Sequence, residues 1–322
     1  FLRKIFFYNL LVVILILISL EIFLRLFTSV NLLGFEKNLF NSESNFESHN
    51  SNIESIAYGK KVFTDRFGFR VPKKNYSYNK KNSSILIVGD SVSFGVGVIE
   101  EETVAGLIRN NFKHKNIYNT SVTGNTLDSY NKSLPIYEKN LKFEDVLIFF
   151  CLNDIIKSKG VITRKEFYKK NNFLTEVNIV LRSKSFLYVY LKSVLTDPEK
   201  RYFDYIAPIY KENDSIQNLK KTIAEINYFS ISRNKKLHFI ILPYEFQTRK
   251  KNYNKNYLFP QEEINKILTK KEIKFNDFSK EFCNYKDPKK LFLTHDPVHL
   301  SKAGHQFVYN LIKKNLIKKI FI

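Results

Sequence analysis

Cysteine is scarce in this sequence of 322 residues, which contains only Cys151 and Cys283. Two cysteines cannot form the disulfide framework that stabilises small secreted domains. Both lie among apolar or aromatic neighbours, which favours two buried thiols, with one disulfide as the alternative. Cysteine usage therefore does not indicate the redox compartment, and a chain of this length is expected to bury a hydrophobic core.

Acidic residues are in the minority, since 31 Asp and Glu face 52 Lys and Arg and the formal net charge is +21. Such an excess can reflect anionic surroundings such as nucleic acid, anionic lipid or acidic glycan. However, the lysines are scattered, and no compact basic block with interleaved aromatic residues occurs. The charge is therefore interpreted as spread over solvated faces, and a nucleic-acid partner is not expected.

The N-terminal segment contains a long apolar run without charge and has no alanine. The 16 residues Ile5–Leu20 carry no charge, and as a helix they span about 24 Å of a hydrocarbon core of roughly 30 Å. Snorkelling of Arg25 would cover the remainder. No alanine precedes Ala57, so the small-residue cleavage site of a secretory signal peptide is missing. Residues 1–30 are therefore predicted to be an uncleaved transmembrane anchor.

The flank of the apolar segment indicates its orientation, since Arg3 and Lys4 precede it. The positive-inside rule places this flank in the cytoplasm, so the main domain of a single-pass protein is expected on the periplasmic or extracellular side of the cytoplasmic membrane. Residues 31–80 are predicted to be a linker and N-terminal arm, because residues 41–55 are polar, rich in Ser and Asn and without periodicity. The main domain is predicted over residues 81–322.

Strands and helices alternate in the main domain. Ile85–Val88 and Val146–Phe150 are short apolar runs that predict strands buried on both faces of a parallel sheet. The alternation implies right-handed crossovers and a three-layer α/β/α sandwich around a central, mainly parallel sheet. A helical insertion at about residues 155–213 is rich in Phe, Tyr and Leu. It is expected to cap the active-site edge of the sheet, to lie against the membrane or to pack in the core.

The stretch ILIVGDSVSFGVGV, residues 85–98, lacks the features of a phosphate-binding loop. A Walker loop needs a lysine after its second glycine, but Val96 follows Gly95. A dinucleotide fingerprint needs a third glycine at the position of Glu100, and this acid and its two acidic neighbours would repel a phosphate. A nucleotide cofactor is therefore not expected, and no other cofactor is predicted.

A turn that exposes a nucleophile is the other interpretation of this stretch. Open α/β sheets place their sites beyond the carboxyl ends of the strands, where Ser91 would lie. A nucleophilic serine needs a base, and the base needs an orienting acid. Asp296 and His299 stand three residues apart after a predicted short strand at Leu291–Leu293, and Pro297 between them favours a loop. The chain order Ser, Asp, His is compatible with a catalytic triad.

Two further strand ends supply candidate donors for a developing oxyanion. Gly124 follows a predicted strand at Ile117–Asn119 and lets a backbone N–H approach a ligand closely. Asn153 follows the predicted strand Val146–Phe150 and offers a side-chain amide. Four strand ends therefore carry residues suited to one acyl-transfer site.

A metal site is the competing interpretation of the histidines near the C-terminus. His295, His299 and His305 are close in sequence, but Pro297 disrupts helical i, i+4 geometry. No cysteine or paired carboxylate joins them. No metal is therefore expected, and His305 is predicted to pack or cap within the last helix.

Taken together, these motif blocks resemble the SGNH (GDSL-type) hydrolases. The blocks match, in order and spacing, as Gly89-Asp90-Ser91, Gly124, Asn153-Asp154 and Asp296-Pro297-Val298-His299, over roughly residues 84–316. The segments TDRFGFR and GDSVSFGVGVIEEET resemble membrane-anchored SGNH proteins that are often encoded with surface-polysaccharide genes. One departure is Cys151, which stands where the third block usually has glycine.

The resemblance implies a flavodoxin-like SGNH fold and a division of roles at the site. Ser91 would be the nucleophile, His299 the base and Asp296 its orienting acid. The oxyanion hole would consist of the Ser91 and Gly124 backbone N–H groups and the Asn153 side chain. Asp90 and Asp154 are expected to hold the loops of Ser91 and Asn153 by hydrogen bonds.

The predicted function is a serine esterase that removes ester-linked acyl groups, with acetyl favoured, from an envelope glycan or lipid. A polysaccharide O-acetyltransferase would use the same triad if a glycan hydroxyl replaced water as the acceptor. A non-catalytic envelope binding or assembly protein with the same fold is the alternative outside enzymes.

Overall fold

A mainly parallel β-sheet lies at the centre of the fold. The computed structural model describes residues 1–28, 32–40, 48–79, 81–157, 173–250 and 255–316. The strands of this part of the chain are β1 (Glu54–Ala57), β2 (Lys60–Thr64), β3 (Arg70–Val71), β4 (Ser83–Val88), β5 (Lys115–Asn119), β6 (Asp145–Phe150), β7 (Lys236–Ile241) and β8 (Lys274–Asp277). Their order across the sheet is β1-β2-β3-β5-β4-β6-β7-β8.

Helices of very different lengths surround the sheet. The α-helices of the described residues are α1 (Leu2–Phe27), α2 (Ser91–Phe94), α3 (Val104–Asn111), α4 (Leu127–Asn140), α5 (Phe173–Lys184), α6 (Phe186–Leu195), α7 (Pro198–Ile206), α8 (Asn213–Ser232), α9 (Glu245–Thr248), α10 (Lys255–Lys270), α11 (Ser279–Cys283) and α12 (Lys302–Leu316). Short 3₁₀ turns lie at Lys37–Leu39, Glu100–Glu102, Leu152–Ile155, Ala207–Lys211 and Pro288–Leu291.

The strands β5, β4, β6, β7 and β8 pair in parallel. The chain crosses from β4 to β5 in one direction and from β5 to β6 in the other, so right-handed crossovers place α3 and α4 on opposite faces. In agreement, α3 packs against α12 and α4 packs against α8. Every residue of β6 is buried, as expected for a strand covered on both faces. The predicted α/β class with a mainly parallel central sheet is thus confirmed.

Part of the predicted linker and arm, residues 31–80, belongs to this sheet. The strands β1, β2 and β3 are antiparallel to one another, and Arg70 of β3 pairs with Asn119 of β5. Their inward side chains, such as Ala57 and Val62, are fully buried. The arm therefore extends the sheet at its β5 edge, whereas residues 41–47 of its polar segment lie outside the described residues.

The N-terminal helix α1 is long and apolar enough to cross a membrane, and no other helix of the described residues is. Leu24 is its one buried residue, so most of its surface is exposed. Near its C-terminal end, the Glu21 carboxylate accepts hydrogen bonds from Ser185 Oγ and from the N–H groups of Phe186 and Leu187, at 2.8–3.0 Å. Glu21 therefore caps the N-terminus of α6 and ties α1 to the rest of the molecule.

The helical insertion predicted at residues 155–213 contributes α5, α6 and α7, and residues 158–172 within it lie outside the described residues. Helix α6 contacts both α1 and α5, and α7 packs against α9. The ring of Tyr190 on α6 lies 6.3 Å from the ring of His295. The insertion therefore connects the apolar helix α1 to the loop that carries Asp296 and His299.

Candidate active site

The turn between β4 and α2 positions Ser91. A side chain at Gly89 would place its Cβ atom 2.1 Å from Ser93 Oγ, so the turn requires glycine. The carboxylate of Asp90 accepts a hydrogen bond from the Val92 N–H at 2.8 Å and caps α2. Ser91 is consequently the first helical residue after the strand and lies at the carboxyl edge of the sheet.

Ser91, His299 and Asp296 form one continuous chain of hydrogen bonds. His299 Nε2 lies 2.8 Å from Ser91 Oγ, and His299 Nδ1 lies 2.8 Å from Asp296 Oδ2. A carboxylate only accepts hydrogen bonds, so Nδ1 carries the ring proton and Nε2 accepts from the serine hydroxyl. The three residues that the sequence singled out, 208 positions apart at the widest, are thus brought together.

The loop around Pro297 holds the acid in place. The second oxygen of Asp296 accepts hydrogen bonds from the N–H groups of Val298 and His299, at 2.9 and 2.8 Å. The short strand predicted at Leu291–Leu293 is not formed. Instead, a 3₁₀ turn ends at Leu291, and Phe292 makes a single bridge to Leu300. The apolar run is buried, but it has no neighbouring strand along which a ladder would extend.

Burial and charge act in opposite directions on the two titratable groups of the triad. Burial lowers the pKa of His299, but the negative charge of Asp296 and its hydrogen bond outweigh this effect, so the pKa is raised above its ordinary value. Burial raises the pKa of Asp296, but His299 and the two backbone N–H groups outweigh it, so the pKa is lowered. Asp296 therefore stays ionised at neutral pH, and it favours the protonated imidazole that acyl transfer requires.

Asn153 is fixed from both ends of its amide. Its Nδ2 group donates a hydrogen bond to Asp90 Oδ2 at 2.9 Å, and its Oδ1 atom accepts one from the Tyr244 hydroxyl at 2.8 Å. The amide nitrogen carries a second hydrogen that can be offered to a substrate oxygen. Asp90 thus holds both the Ser91 turn and the Asn153 side chain, and Tyr244 is a positioning residue that no motif in the sequence indicates.

Cys151 and Asp154 complete the loop that carries Asn153. Asp154 Oδ2 accepts a hydrogen bond from the Cys151 N–H at 2.9 Å. Burial and the neighbouring Asp90 raise the pKa of Asp154 well above its ordinary value. Cys151 and Cys283 are both free and buried. Cysteine at position 151 is therefore accommodated as a buried free thiol, and its N–H group takes part in the hydrogen bonds of the loop.

Gly124 lies in the wall of a cavity of about 270 Å³, here called the triad cavity. Its φ of +87° is in the left-handed region, and a Cβ atom there would meet no described atom within 4 Å. Glycine is thus required by backbone conformation, and the space beside it is open to a ligand. The lining residues of the triad cavity are Phe35, Phe40, Tyr58, Ser91, Thr123, Gly124 and His299.

Aromatic residues of the N-terminal arm form one wall of the triad cavity. Phe35 and Phe40 pack edge to face, with ring centroids 5.5 Å apart. The Tyr58 ring meets the His299 ring edge-on at 5.1 Å. These three aromatic residues lie outside the motif blocks, so the sequence did not predict them as part of the site. The aromatic content of the arm is the one feature that could have indicated them.

A buried arginine shapes the loop after the nucleophile. Arg70 donates hydrogen bonds from its guanidinium to the carbonyl oxygens of Phe94, Gly95 and Val98. The φ of Gly95 is +85°, which aims its carbonyl at Arg70. Burial lowers the pKa of Arg70 to about 10, so it stays charged at neutral pH. Arg70 ends the TDRFGFR segment, which gives that sequence motif a structural role.

No group of three or more His, Cys, Asp or Glu side chains is placed to hold a metal ion within the described ranges. His305 Nδ1 accepts a hydrogen bond from the Val104 N–H at 3.3 Å, across the contact between α12 and α3. Burial lowers the pKa of His305 to about 3, so it stays neutral. Its role is to join two helices, and it does not approach His299 Nε2 or Ser91 through any hydrogen bond.

Comparison with known proteins finds similarity in structure. No family model and no curated protein matches the sequence. TesA is similar to this chain, with 13% identity and a TM-score of 0.46, over 74% of this chain and 100% of that chain. The acetyl xylan esterase AlAXEase is 14% identical with a TM-score of 0.45, over 73% and 100%. A member of the lipolytic protein G-D-S-L family from Veillonella parvula is 11% identical with a TM-score of 0.43, over 73% and 99%.

Proposed function

We propose that this chain is a membrane-anchored serine esterase of the SGNH type. The observation that carries the proposal is the hydrogen-bond chain from Ser91 Oγ through the imidazole of His299 to Asp296, with both links at 2.8 Å. A serine hydroxyl is a weak nucleophile until a base in this position takes its proton. The order and direction of these contacts are those of an acyl-transfer triad.

In the first half of the reaction, Ser91 Oγ attacks the ester carbonyl carbon and its proton passes to His299 Nε2. Asp296 holds the imidazole in the required tautomer and stabilises the imidazolium that forms. His299 then gives this proton to the leaving alcohol oxygen, and the carbon–oxygen bond of the ester breaks. The products of this half are a free alcohol and an acyl group on Ser91.

In the second half, water takes the place of the alcohol. His299 removes a proton from water as its oxygen attacks the acyl carbon, and the bond to Ser91 Oγ breaks as the proton returns to that oxygen. The released acid restores the starting enzyme. If a glycan hydroxyl replaced water, the same steps would transfer the acyl group, so the identity of the second product distinguishes a hydrolase from an O-acetyltransferase.

The negative charge that develops on the carbonyl oxygen needs donors. The backbone N–H groups of Ser91 and Gly124 and the second amide hydrogen of Asn153 are the proposed set. The contacts of Asn153 with Asp90 and Tyr244 support this role, because a donor held at both ends does not reorganise during the reaction. Phe35 and Phe40 line the cavity beside Ser91, and acetyl is the proposed acyl group.

The proposed location is the outer side of the cytoplasmic membrane. Arg3 and Lys4 lie at the N-terminal end of α1, which favours a cytoplasmic N-terminus. Glu21 joins α1 to the catalytic domain at the opposite end of the helix. A helix that spans the membrane would therefore hold the domain at the outer surface.

Turnover of p-nitrophenyl acetate by the full-length protein in detergent tests this proposal. Ser91→Ala removes the nucleophile and should reduce kcat by about 10⁴- to 10⁶-fold. Ser232→Ala is the matched control, because Ser232 is exposed at the C-terminal end of α8 and bonds only to its own helix at Phe229. Equal rates for Ser91→Ala and the parent chain would contradict the mechanism.

A further inference from the structure

A second cavity, of about 240 Å³, borders the triad loop on the side of the helical insertion. Pro297, which lies between Asp296 and His299 in sequence, forms part of its wall. The cavity is here called the basic pocket, and the side chains that define it are Arg182, Lys192, Arg201, Tyr202, Tyr205 and His295. None of these residues takes part in the proposed acyl transfer.

The three cations of the basic pocket have no acidic partner among the side chains that the structure describes. No ion pair within that part of the chain involves Arg182, Lys192 or Arg201. Lys192 Nζ donates a hydrogen bond to the neutral amide of Asn178. Burial lowers the pKa of Lys192, and the charges of Arg182 and Arg201 lower it further. The cations therefore repel one another across the pocket.

The acids nearest in sequence to Arg201 are already engaged elsewhere. Arg249 forms ion pairs with Asp197 at 2.8 Å, with Glu199 at 3.5 Å and with Glu245 at 2.9 Å. Asp204, on the same helix as Arg201, pairs with Lys200. An external anion is thus the partner that would relieve the repulsion within the pocket.

We propose that the basic pocket binds a phosphate group of the ester substrate, while the ester itself reaches Ser91 on the other side of the Pro297 loop. A phosphate offers three or four oxygens and up to two charges, which suits two guanidinium groups and an ammonium better than a single carboxylate does. The exposed side chain of Tyr205, which also lines the pocket, offers a hydroxyl as a further donor. The inference rests on the proposed esterase function and names its substrate class.

The position of α6 bears on where the phosphate comes from. One face of α6 supplies Val189 and Lys192 to the pocket. Its outer face leaves Leu191, Val194 and Leu195 exposed by 46%, 59% and 78%. Because α6 also packs against the apolar helix α1, the pocket lies next to the expected membrane surface. The phosphate is accordingly that of a lipid headgroup or of a soluble phosphorylated ester, and the experiment separates the two.

The test compares matched esters with and without phosphate. The soluble pair is acetylated glycerol 3-phosphate and acetylated glycerol. The vesicle pair is 1-acyl-2-acetylglycerol 3-phosphate and 1-acyl-2-acetylglycerol in phosphatidylcholine vesicles. In the full-length protein, the double variant Arg182→Gln and Arg201→Gln should lower kcat/KM for a phosphorylated ester by about 10- to 100-fold, since charge-assisted hydrogen bonds are lost. The kcat/KM for the neutral ester should change less than about twofold, and this retained activity also shows that the variant folds.

The control is Arg233→Gln, which removes the same charge from an exposed position directly after the C-terminal end of α8. It should leave kcat/KM for all four esters unchanged. If the double variant lowers kcat/KM for the phosphorylated ester only in the vesicle pair, the site binds a lipid headgroup. If it lowers kcat/KM for the phosphorylated ester of the soluble pair, the site binds the phosphate group whether or not a lipid carries it. Equal changes in kcat/KM for the phosphorylated and the neutral ester of a pair, or no change in kcat/KM for either pair, would overturn the proposal.

A binding arm separates this proposal from the esterase function. Titration of inorganic phosphate into the Ser91→Ala protein measures the pocket without turnover, and the double variant should weaken this binding at least tenfold. Phosphate binding with this dependence in a protein that hydrolyses no ester would contradict the esterase and retain the phosphate site. Ester hydrolysis that depends on Ser91, together with phosphate binding that the double variant does not alter, would retain the esterase function and contradict the phosphate site.

Discussion

The triad cavity and the basic pocket lie on two sides of the same loop, but their polar groups are satisfied in different ways. In the triad cavity, Ser91, His299 and Asp296 are linked to one another, and Asp296 is further bound by backbone N–H groups. In the basic pocket, Arg182 and Arg201 have no acidic partner among the described residues. The reacting groups are thus organised by the protein alone, whereas the cations of the pocket are left for an external charge to neutralise.

Among variants that keep the nucleophile Ser91, the largest effect is expected when the organisation of the triad is broken at its acid. Asp296→Asn keeps the shape of the side chain but favours the wrong imidazole tautomer, and should lower kcat for p-nitrophenyl acetate by about 10⁴-fold. Steady-state kinetics with this neutral ester give the value. A loss below about tenfold would mean that Asp296 does not orient His299, and the comparison between the two cavities would no longer hold.

A smaller effect is expected from Asn153, the proposed side-chain donor to the oxyanion. Asn153→Ala should lower kcat by about 10²- to 10³-fold and leave KM nearly unchanged, because the lost hydrogen bond forms only in the transition state. The matched variant is Tyr244→Phe, which keeps the amide but removes its hydrogen bond from the Tyr244 hydroxyl. Tyr244→Phe should lower kcat by a smaller factor than Asn153→Ala does. An increase in KM alone would instead assign Asn153 to substrate binding.

The pH dependence tests the electrostatics of the triad. His299 acts as a base only when neutral, and its pKa is raised above the ordinary value of about 6.5 because the charge of Asp296 outweighs burial. The kcat/KM for p-nitrophenyl acetate should therefore fall about tenfold per pH unit on the acid side, with a midpoint above 6.5. In Asp296→Asn the midpoint should move to lower pH. A midpoint that the substitution leaves unchanged would show that another group controls the rate.

The central strands and the triad could be predicted because their signals are local. The apolar runs of β4 and β6 are continuous, and each is followed at once by polar residues such as Ser91 and Asn153. The arm was harder to interpret, since β1, β2 and β3 have only four, five and two residues and each includes at least one charged residue. They join the central sheet only through the pairing of β3 with β5, which the sequence of the arm does not reveal.

The walls of the two cavities could not be predicted for a related reason. Phe35 and Tyr58 line the same cavity as His299 because the arm folds back along the sheet, and no spacing connects them to the motif blocks. Arg182 and Arg201 look like solvated charges within a basic chain of net charge +21. Their convergence depends on how α6 and α7 pack, which is a tertiary property.

The smallest expected effect concerns the contact that connects α1 to the basic pocket. Glu21→Ala removes three hydrogen bonds to the N-terminus of α6 and should weaken that helix locally by about 1 kcal/mol. Hydrogen exchange at Phe186 and Leu187 should accelerate about fivefold. The control is Glu36→Ala on the arm, which should leave these two amides unchanged. Unaltered exchange in Glu21→Ala would show that Glu21 does not hold α6.

The central claim, that Ser91 is a nucleophile activated by His299, is tested most directly by covalent labelling. The full-length protein is treated with a serine-reactive fluorophosphonate, and the modified peptide is mapped by mass spectrometry. The account predicts one adduct, on Ser91, which is abolished in Ser91→Ala and strongly slowed in His299→Ala. Absence of an adduct in the parent chain, or an adduct that persists in Ser91→Ala, would contradict it and favour a non-catalytic protein with this fold.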